Sequence, residues 1–520
     1  MIGGTELTRR GFIWAGGLAA VAAGLPKGAW SQDGGTLRIR AWQDIQVLDP
    51  GWMIGGPEID LQYACLASLA IYQPGEKLTW RPSPFVNRIE QVDDLHIEFE
   101  LKPGIMWSGG YGELTAEDVK YSFERIADPK NEAPWKDKWS ALQEVQVTGT
   151  HSGVIVLSRP SVPLWLTTIC DGTGSIVCKK AVEAAGGRFT TEFPAVCGPY
   201  RVKEWVPGQY IEIESNPEWT GEKPEFEQVR LLFIDDKKSA ELAYEAGDVD
   251  FVHVELSSIG LYREKLPANS KLYEGPGLSW TWMGMNTEHP KLSDIRVRQA
   301  IQHAVDVDAI IEAAYGGVKE ARARGVVPRG MIGHRDTTAF EKPNPDKARS
   351  LLAEAGADGL EIELKVLNDT LHLTSAQIIQ ANLAEIGINV IITQLDTGPF
   401  WTMGMESEGE DWRDLQLWIM RYQDAPDPSQ QTQWYVSEQV GVWNWERWKD
   451  PEFDQLHQDA LMEADETKRA AMYLRMQEIM EATGAYVWIA HEPTIILYRD
   501  SMVPEILPPD HPYVLGFKRA

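Results

Sequence analysis

The chain has 520 residues, 77 of them acidic and 49 basic, for a formal charge of −28. So negative a balance argues against nucleic acid, whose phosphates it would repel, and fits a soluble protein with mild attraction for cationic solutes. At ~150 residues per domain the length allows about three domains with real cores.

The first segment reads as an export leader. Thr8-Arg9-Arg10-Gly11-Phe12-Ile13 is a twin-arginine pattern, followed by a Gly- and Ala-rich apolar run from Ile13 to Ala23, then Lys27 and a small-x-small site at Ala29-Trp30-Ser31. This predicts a Tat signal over 1–31. The run is shorter than the ~20 apolar residues a permanent span needs. No cysteine precedes Cys65, so the expected product is a periplasmic protein without a lipid anchor. Cys65, Cys170, Cys178 and Cys197 are the four cysteines. They are candidate disulfide partners in an oxidising compartment, with three full pairings open, or structural thiols.

Further along, Leu95, Ile97, Phe99 and Leu101 alternate with polar residues as a half-buried strand does. Thr115 followed by Asp118 is a capping box, and Val119, Phe123 and Ile126 fall on one helical face behind it. Ile211 and Ile213, then Val229, Leu231 and Phe233, mark two more strands. Trp280 and Trp282 sit at i, i+2 on a strand and share a face; Met283, Met285 and Asn286 follow. Ser293 or Asp294 caps a helix burying Val297, Ala300, Ile301, Ala304 and Val305. Another helix starts at Asn344-Pro345 and ends at Gly356. Strand from Glu361, helix over about 374–386 and strand over 388–395 make a β-α-β unit, hence a parallel pair with a right-handed crossover.

Chemistry-bearing motifs are scarce. The chain holds no G-x-S-x-G, H-E-x-x-H, P-loop or G-x-G-x-x-G. His253-Val-Glu255 and His491-Glu492 lack a third ligand at metal spacing. No catalytic residue, metal or cofactor is expected. A secreted hydrolase with a carboxylate pair is the remaining enzyme alternative. The 21 tryptophans offer faces to sugars, rings or cations, or fill cores.

One longer pattern is more specific. Leu101-Lys-Pro-Gly104 followed by Leu114-Thr-Ala-Glu-Asp-Val-Lys-Tyr-Ser-Phe-Glu-Arg125 resembles the motif of the extracytoplasmic solute-binding proteins of family 5, the peptide-, opine- and nickel-type receptors of ABC transporters. Gly198-Pro-Tyr-Arg-Val-Lys-Glu-Trp-Val-Pro-Gly208 with Asn216-Pro217 resembles its lobe-one strand pair. Met285-Asn-Thr287 with Ile295–Ile301 and Ala304-Val-Asp306 resembles the opening of lobe two. Asp424-Ala-Pro-Asp-Pro428 resembles the ligand-facing loop of that lobe.

The resemblance implies a two-lobed α/β periplasmic-binding-protein fold of class II type. Lobe one would comprise 32–60, 198–278 and 496–520, with an extra subdomain at 61–197, and lobe two 279–495. The chain would cross the hinge near Leu278 and Thr494. It implies a monomeric receptor that closes on a small organic solute and delivers it to a membrane permease. The solute would be an oligopeptide, an opine-like conjugate or another amine-bearing compound. An oligosaccharide is the alternative, and a sensor or chaperone use of the fold is another. In peptide-binding relatives the aspartate matching Asp424 meets the ligand's ammonium. Arg421, Tyr422, Asp427, Trp280, Trp282, Met285, Asn286, Trp52 and Met53 are the accompanying candidates. Two departures bear on the ligand. Arg421 stands where many relatives carry an aromatic residue, and Asn368-Asp369-Thr370-Leu371-His372 lacks the arginine that holds a dipeptide's carboxylate. Arg421 would either supply that cation or pair with Asp424.

Overall fold

A computed structural model describes residues 36–520 except Glu76 and Pro509. The expected leader at 1–31 lies outside the described residues. Local signals build the elements largely as read. Asp118 Oδ2 accepts from the Thr115 backbone N–H at 2.9 Å, closing the capping box of the helix Ala116–Ala127, and Val119, Phe123 and Ile126 are fully buried beneath it. Of the two candidate caps near 293, Asp294 is used: its carboxylate accepts from Arg296 N at the start of Ile295–Ala304. Asn344 caps Pro345–Ala355, and Gly356 ends that helix at φ 67°, a left-handed conformation glycine adopts at no steric cost.

Two large sheets organise the chain. The first has seven strands in the order Tyr200–Val206, Tyr210–Ser215, Gln228–Phe233, Thr36–Ala41, Phe251–His253, Thr494–Arg499, Ser270–Gly275. Thr36–Ala41 runs parallel to both its neighbours, and the outer pairs are antiparallel. The second has five strands in the order Asn389–Leu395, Glu361–Leu367, Leu417–Gln423, Ser279–Met285, Tyr486–Ala490. Its first two strands are the parallel pair of the β-α-β unit. The crossover helix spans Thr370–Glu385, starting earlier than its periodicity suggests because Asp369 caps it through His372 N. An antiparallel four-stranded sheet, Val86–Asp93, His96–Leu101, Ser152–Leu157 and Leu142–Val147, shares one core with the seven-stranded sheet.

The protein is thus two α/β lobes, one on each large sheet. The chain passes between them twice, at 276–278 and 491–493, and the two crossings touch. A Cβ on Gly277 would lie 1.8 Å from the Glu492 carbonyl oxygen, a backbone atom that cannot swing aside. Away from the hinge the lobes meet again. Leu78 N donates to Gly330 O at 3.2 Å and Val162 N to Leu461 O at 2.9 Å, and Leu78 is buried within the aromatic core of the second lobe.

The hinge packing yields a direct expectation. Gly277→Ala forces the two crossings apart and should destabilise the protein by ~1–3 kcal/mol, the usual cost of overpacking. Gly260→Ala, where an added Cβ meets nothing within 4 Å, should leave the thermal midpoint unchanged or raise it. Equal midpoints for both variants would contradict the hinge contact.

Candidate functional site

Strand alternation sorts the residues of Ser279–Met285. Trp280, Trp282 and Gly284 face one side of the sheet, and Thr281, Met283 and Met285 the other. Trp280 Nε1 donates to Tyr435 Oη at 3.0 Å, and Trp282 Nε1 to Glu446 Oε1 at 2.7 Å. Both indoles are fully enclosed in the aromatic core of the second lobe. Met285 lies in the aliphatic core on the opposite face. The Asn286 amide donates to the carbonyls of Trp412 and Leu415 at 3.2 and 3.0 Å, and its side-chain oxygen accepts from Glu288 N at 3.0 Å. These four candidates are framework: their polar atoms are spent inside the lobe and no face is open to a solute.

The segment at 52–53 is framework in the first lobe. The Trp52 ring lies beneath two guanidinium groups, Arg125 at 5.3 Å and Arg188 at 4.9 Å. Arg125 is itself locked to buried Asp49 by bonds of 2.7 and 3.0 Å. Met53 is buried, and its carbonyl accepts from Trp135 Nε1 at 2.9 Å. The four cysteines are not bridged; Cys65, Cys170, Cys178 and Cys197 are all free and buried. Burial raises each thiol above its ordinary range, which makes them inert packing groups rather than nucleophiles.

Asp427 also belongs to the interior. It caps the helix Pro428–Thr432 and receives both arms of Arg469, at 2.8 and 2.9 Å. Burial works against its charge, but the Arg469 fork outweighs that and holds the carboxyl below its usual range. Arg421 is committed elsewhere. Its Nε and Nη2 grip both oxygens of Glu492, the second at 2.9 Å, tying the strand Leu417–Gln423 to the second hinge crossing. The expected pair with Asp424 is not formed; Arg421 bonds Glu492 instead, and its side chain stays part exposed. Arg421 and Glu492 line a cavity of about 90 Å³ at the base of the hinge, with Lys237, His253, Asp510 and Gln423. The Tyr422 ring packs against Trp282 at 5.2 Å, Trp434 at 5.6 Å and Trp401 at 5.9 Å, and its Oη is buried without a hydrogen-bond partner.

Asp424 differs from all of these. It is half-buried just past the end of the strand. One oxygen accepts from Ala425 N at 2.8 Å and the other from Gln433 Nε2 at 3.4 Å, both neutral donors. No cation lies within ion-pair distance of it among the described residues. Burial pushes its carboxyl up to about 6. The Ala425 N–H and, from the first lobe, Lys138 hold it down, while Asp171 beside Lys138 pushes it up. Lys138 and Asp171 are joined to each other by an ion pair. A half-buried carboxylate thus stands with neutral hydrogen-bond donors and no cation within ion-pair distance among the described residues. Sequence reading did not find Lys138 or Asp171: 33 residues separate them and neither lies in a motif.

Glu446 was also missed, although a lone acid within Trp443-Asn-Trp445-Glu-Arg-Trp448 is a visible signal of a buried carboxyl. Burial raises it to about 8, with the Trp282 N–H opposing. It lies behind the indoles and away from solvent.

The family model described as bacterial extracellular solute-binding proteins, family 5 Middle, matches residues 87–443. The periplasmic oligopeptide-binding protein OppA of Salmonella typhimurium is 26% identical over 534 residues, 93% of this chain and 93% of that protein. HbpA2 from Haemophilus parasuis superposes with a TM-score of 0.80 at 23% identity, over 93% of this chain and 99% of that one. The ABC transporter substrate-binding protein CtaP from Listeria monocytogenes gives 0.81 at 20% identity, over 94% and 100%.

Two substitutions test the assignments. Asp427→Ala strands Arg469 in the core and should cost ~3–5 kcal/mol in urea unfolding; a neutral result would show that the ion pair is not structural. Glu446→Gln keeps an acceptor for Trp282 and removes the titration. The folded protein holds the Glu446 proton up to about pH 8 while the unfolded chain loses it near 4.5, so wild-type stability falls as pH rises through that window. The variant should match wild type near pH 4.5 and gain on it by about 1.4 kcal/mol per pH unit up to about pH 8. A stability difference independent of pH would contradict the buried proton.

Proposed function

The chain belongs to the bacterial extracellular solute-binding proteins of family 5, and from that premise we propose that it is the substrate-binding component of an ABC importer for a small amine-bearing solute. It works outside the cytoplasmic membrane, exported by the twin-arginine leader, and as a monomer hands its solute to the permease. It captures and releases without chemistry. Oligopeptides, opine-like conjugates and other amino-acid derivatives are the ligand class.

Asp424 carries this reading. Removing a carboxylate from water is costly unless a cation joins it, and the protein supplies none within ion-pair distance. A solute's ammonium is the missing partner, and a charge-assisted bond in that setting is strong. Closure follows from the same contact, since a solute held at Asp424 touches both lobes and favours the form in which they meet. An oligosaccharide would need open tryptophan faces. Trp280, Trp282, Trp445 and Trp448 are enclosed, which leaves the stacking reading to Trp401, Trp434 and Trp443 at the margin of the aromatic core.

Asp424→Ala should weaken binding of an amine solute by ~2–5 kcal/mol, the scale for breaking a desolvated charge pair. Wild-type affinity should be flat above about pH 7. Below about pH 6 it should fall about tenfold per unit, because Asp424 must shed a proton to accept the cation. Calorimetry with di- and tripeptides and amino-acid derivatives checks both; unchanged affinity in the variant would remove the amine anchor.

A further inference from the structure

The cavity of about 90 Å³ at the base of the hinge draws its walls from both lobes. Lys237 opens the helix Lys237–Ala246 of the first lobe, where Asp236 caps the turn by accepting from Ser239 N. His253, at the end of the strand Phe251–His253, is the next group of that wall. Arg421 and Gln423 come from the second lobe, at i, i+2 on one face of the strand Leu417–Gln423. The two crossings supply Gly277, Glu492 and Pro493. Asp424 follows Gln423 directly, so the cavity adjoins the strand end that carries the proposed amine anchor.

The acids of this wall are already served, and its cations keep donors to spare. Glu492 is gripped by Nε and Nη2 of Arg421. Asp510 Oδ2 faces His253 Nε2 at 3.4 Å, and its side chain, 39% exposed, is open to water. Arg421 Nη1 retains both its N–H groups. The half-buried Lys237 has no hydrogen-bond or ion-pair partner for its ammonium among the described residues. Two cationic donors on opposite lobes suit an acceptor with two oxygens and a negative charge, and the cavity has more room than one water needs. An added cation would find no unengaged acid there. We propose that this cavity takes the carboxylate of the solute, held between Lys237 of the first lobe and Arg421 Nη1 of the second. This rests on the amine reading of Asp424 and deepens it. The solute is then a zwitterion, an amino-acid derivative or peptide with a free acid, and an amine whose acid is absent or blocked is selected against. The same contact makes closure part of recognition, because each lobe supplies one of the two cations.

The test is calorimetry on the full chain with di-, tri- and tetraalanine, the C-terminal amide of each, and acetate as a free carboxylate. The readout is the ratio of acid to amide affinity, in which effects on the fold or the hinge cancel. Wild type should favour the acid by about tenfold or more, the scale of one charge-assisted bond. Lys237→Met should remove most of that preference, and Lys237→Arg, which keeps the charge, should retain it. Arg421→Met should remove it too, whatever it does to the hinge. Acid and amide bound alike by wild type, or a preference that survives Lys237→Met, would overturn the inference. So would a cavity that takes only free carboxylate, seen as acetate tightening the amides in wild type but not in Lys237→Met, with no preference for the acids. Asp424→Asn reads the amine end separately and should weaken acid and amide alike. Unchanged affinity in that variant would overturn the amine reading alone, with the acid preference left standing. Binding of none of these peptides by wild type would overturn both.

Discussion

Asp424 sits where two lobes meet, largely out of water, and its own hydrogen bonds come from neutral donors. Desolvating a carboxylate raises its free energy in the ionised form, and burial accordingly pushes the Asp424 carboxyl up to about 6. A protein built only for stability would neutralise such a group or bury it behind an arginine. Asp427 shows that solution three residues away, gripped at both oxygens by Arg469. The two aspartates contrast: Asp427 is satisfied by a charged partner, while Asp424 has neutral donors alone, the feature on which the proposed amine site rests.

The rest of the molecule positions that group and lets it be covered. Among the described residues two crossings join the seven- and five-stranded sheets and touch at Gly277 and Glu492, while a shared aliphatic core and the contacts at Leu78 and Val162 also hold the lobes together. Glu492 also receives Arg421 from the strand that leads to Asp424, which ties the hinge to the approach of the site. Behind that strand the tryptophans form a rigid wall. Two of their N–H groups are paired internally, Trp280 to Tyr435 and Trp282 to Glu446, so these two indoles borrow no polar partner from a solute. Membership of the solute-binding family gives these features a common purpose: a cleft that closes on a guest.

Much of this architecture is legible from local signals. The capping box at Thr115, the Asn344 cap with its glycine stop, and the β-α-β unit from Glu361 follow from short-range chemistry that tertiary contacts do not override. The site is less legible because its logic is long-range. Asp424 and Asp427 look alike in an Asp-Ala-Pro-Asp-Pro run, and only Arg469, 42 residues on, tells them apart. Arg421 draws its partner from the hinge, 71 residues away. Met285 was readable, since strand alternation already puts it on the face opposite Trp282. The pairing of Lys138 with Asp171 has no sequence signature; turns bring it together, and each of those residues alone reads as surface.

The central claim is that Asp424 is an ionisable group held in waiting for a cation. The most direct measurement is the carboxyl ¹³C titration of Asp424 in the whole protein, with and without a saturating amine solute. The account predicts a midpoint near 6 in the free protein, falling below 4 when the solute is bound. A midpoint unmoved by any amine that closes the lobes, or an ordinary carboxylate midpoint in the free protein, would contradict it.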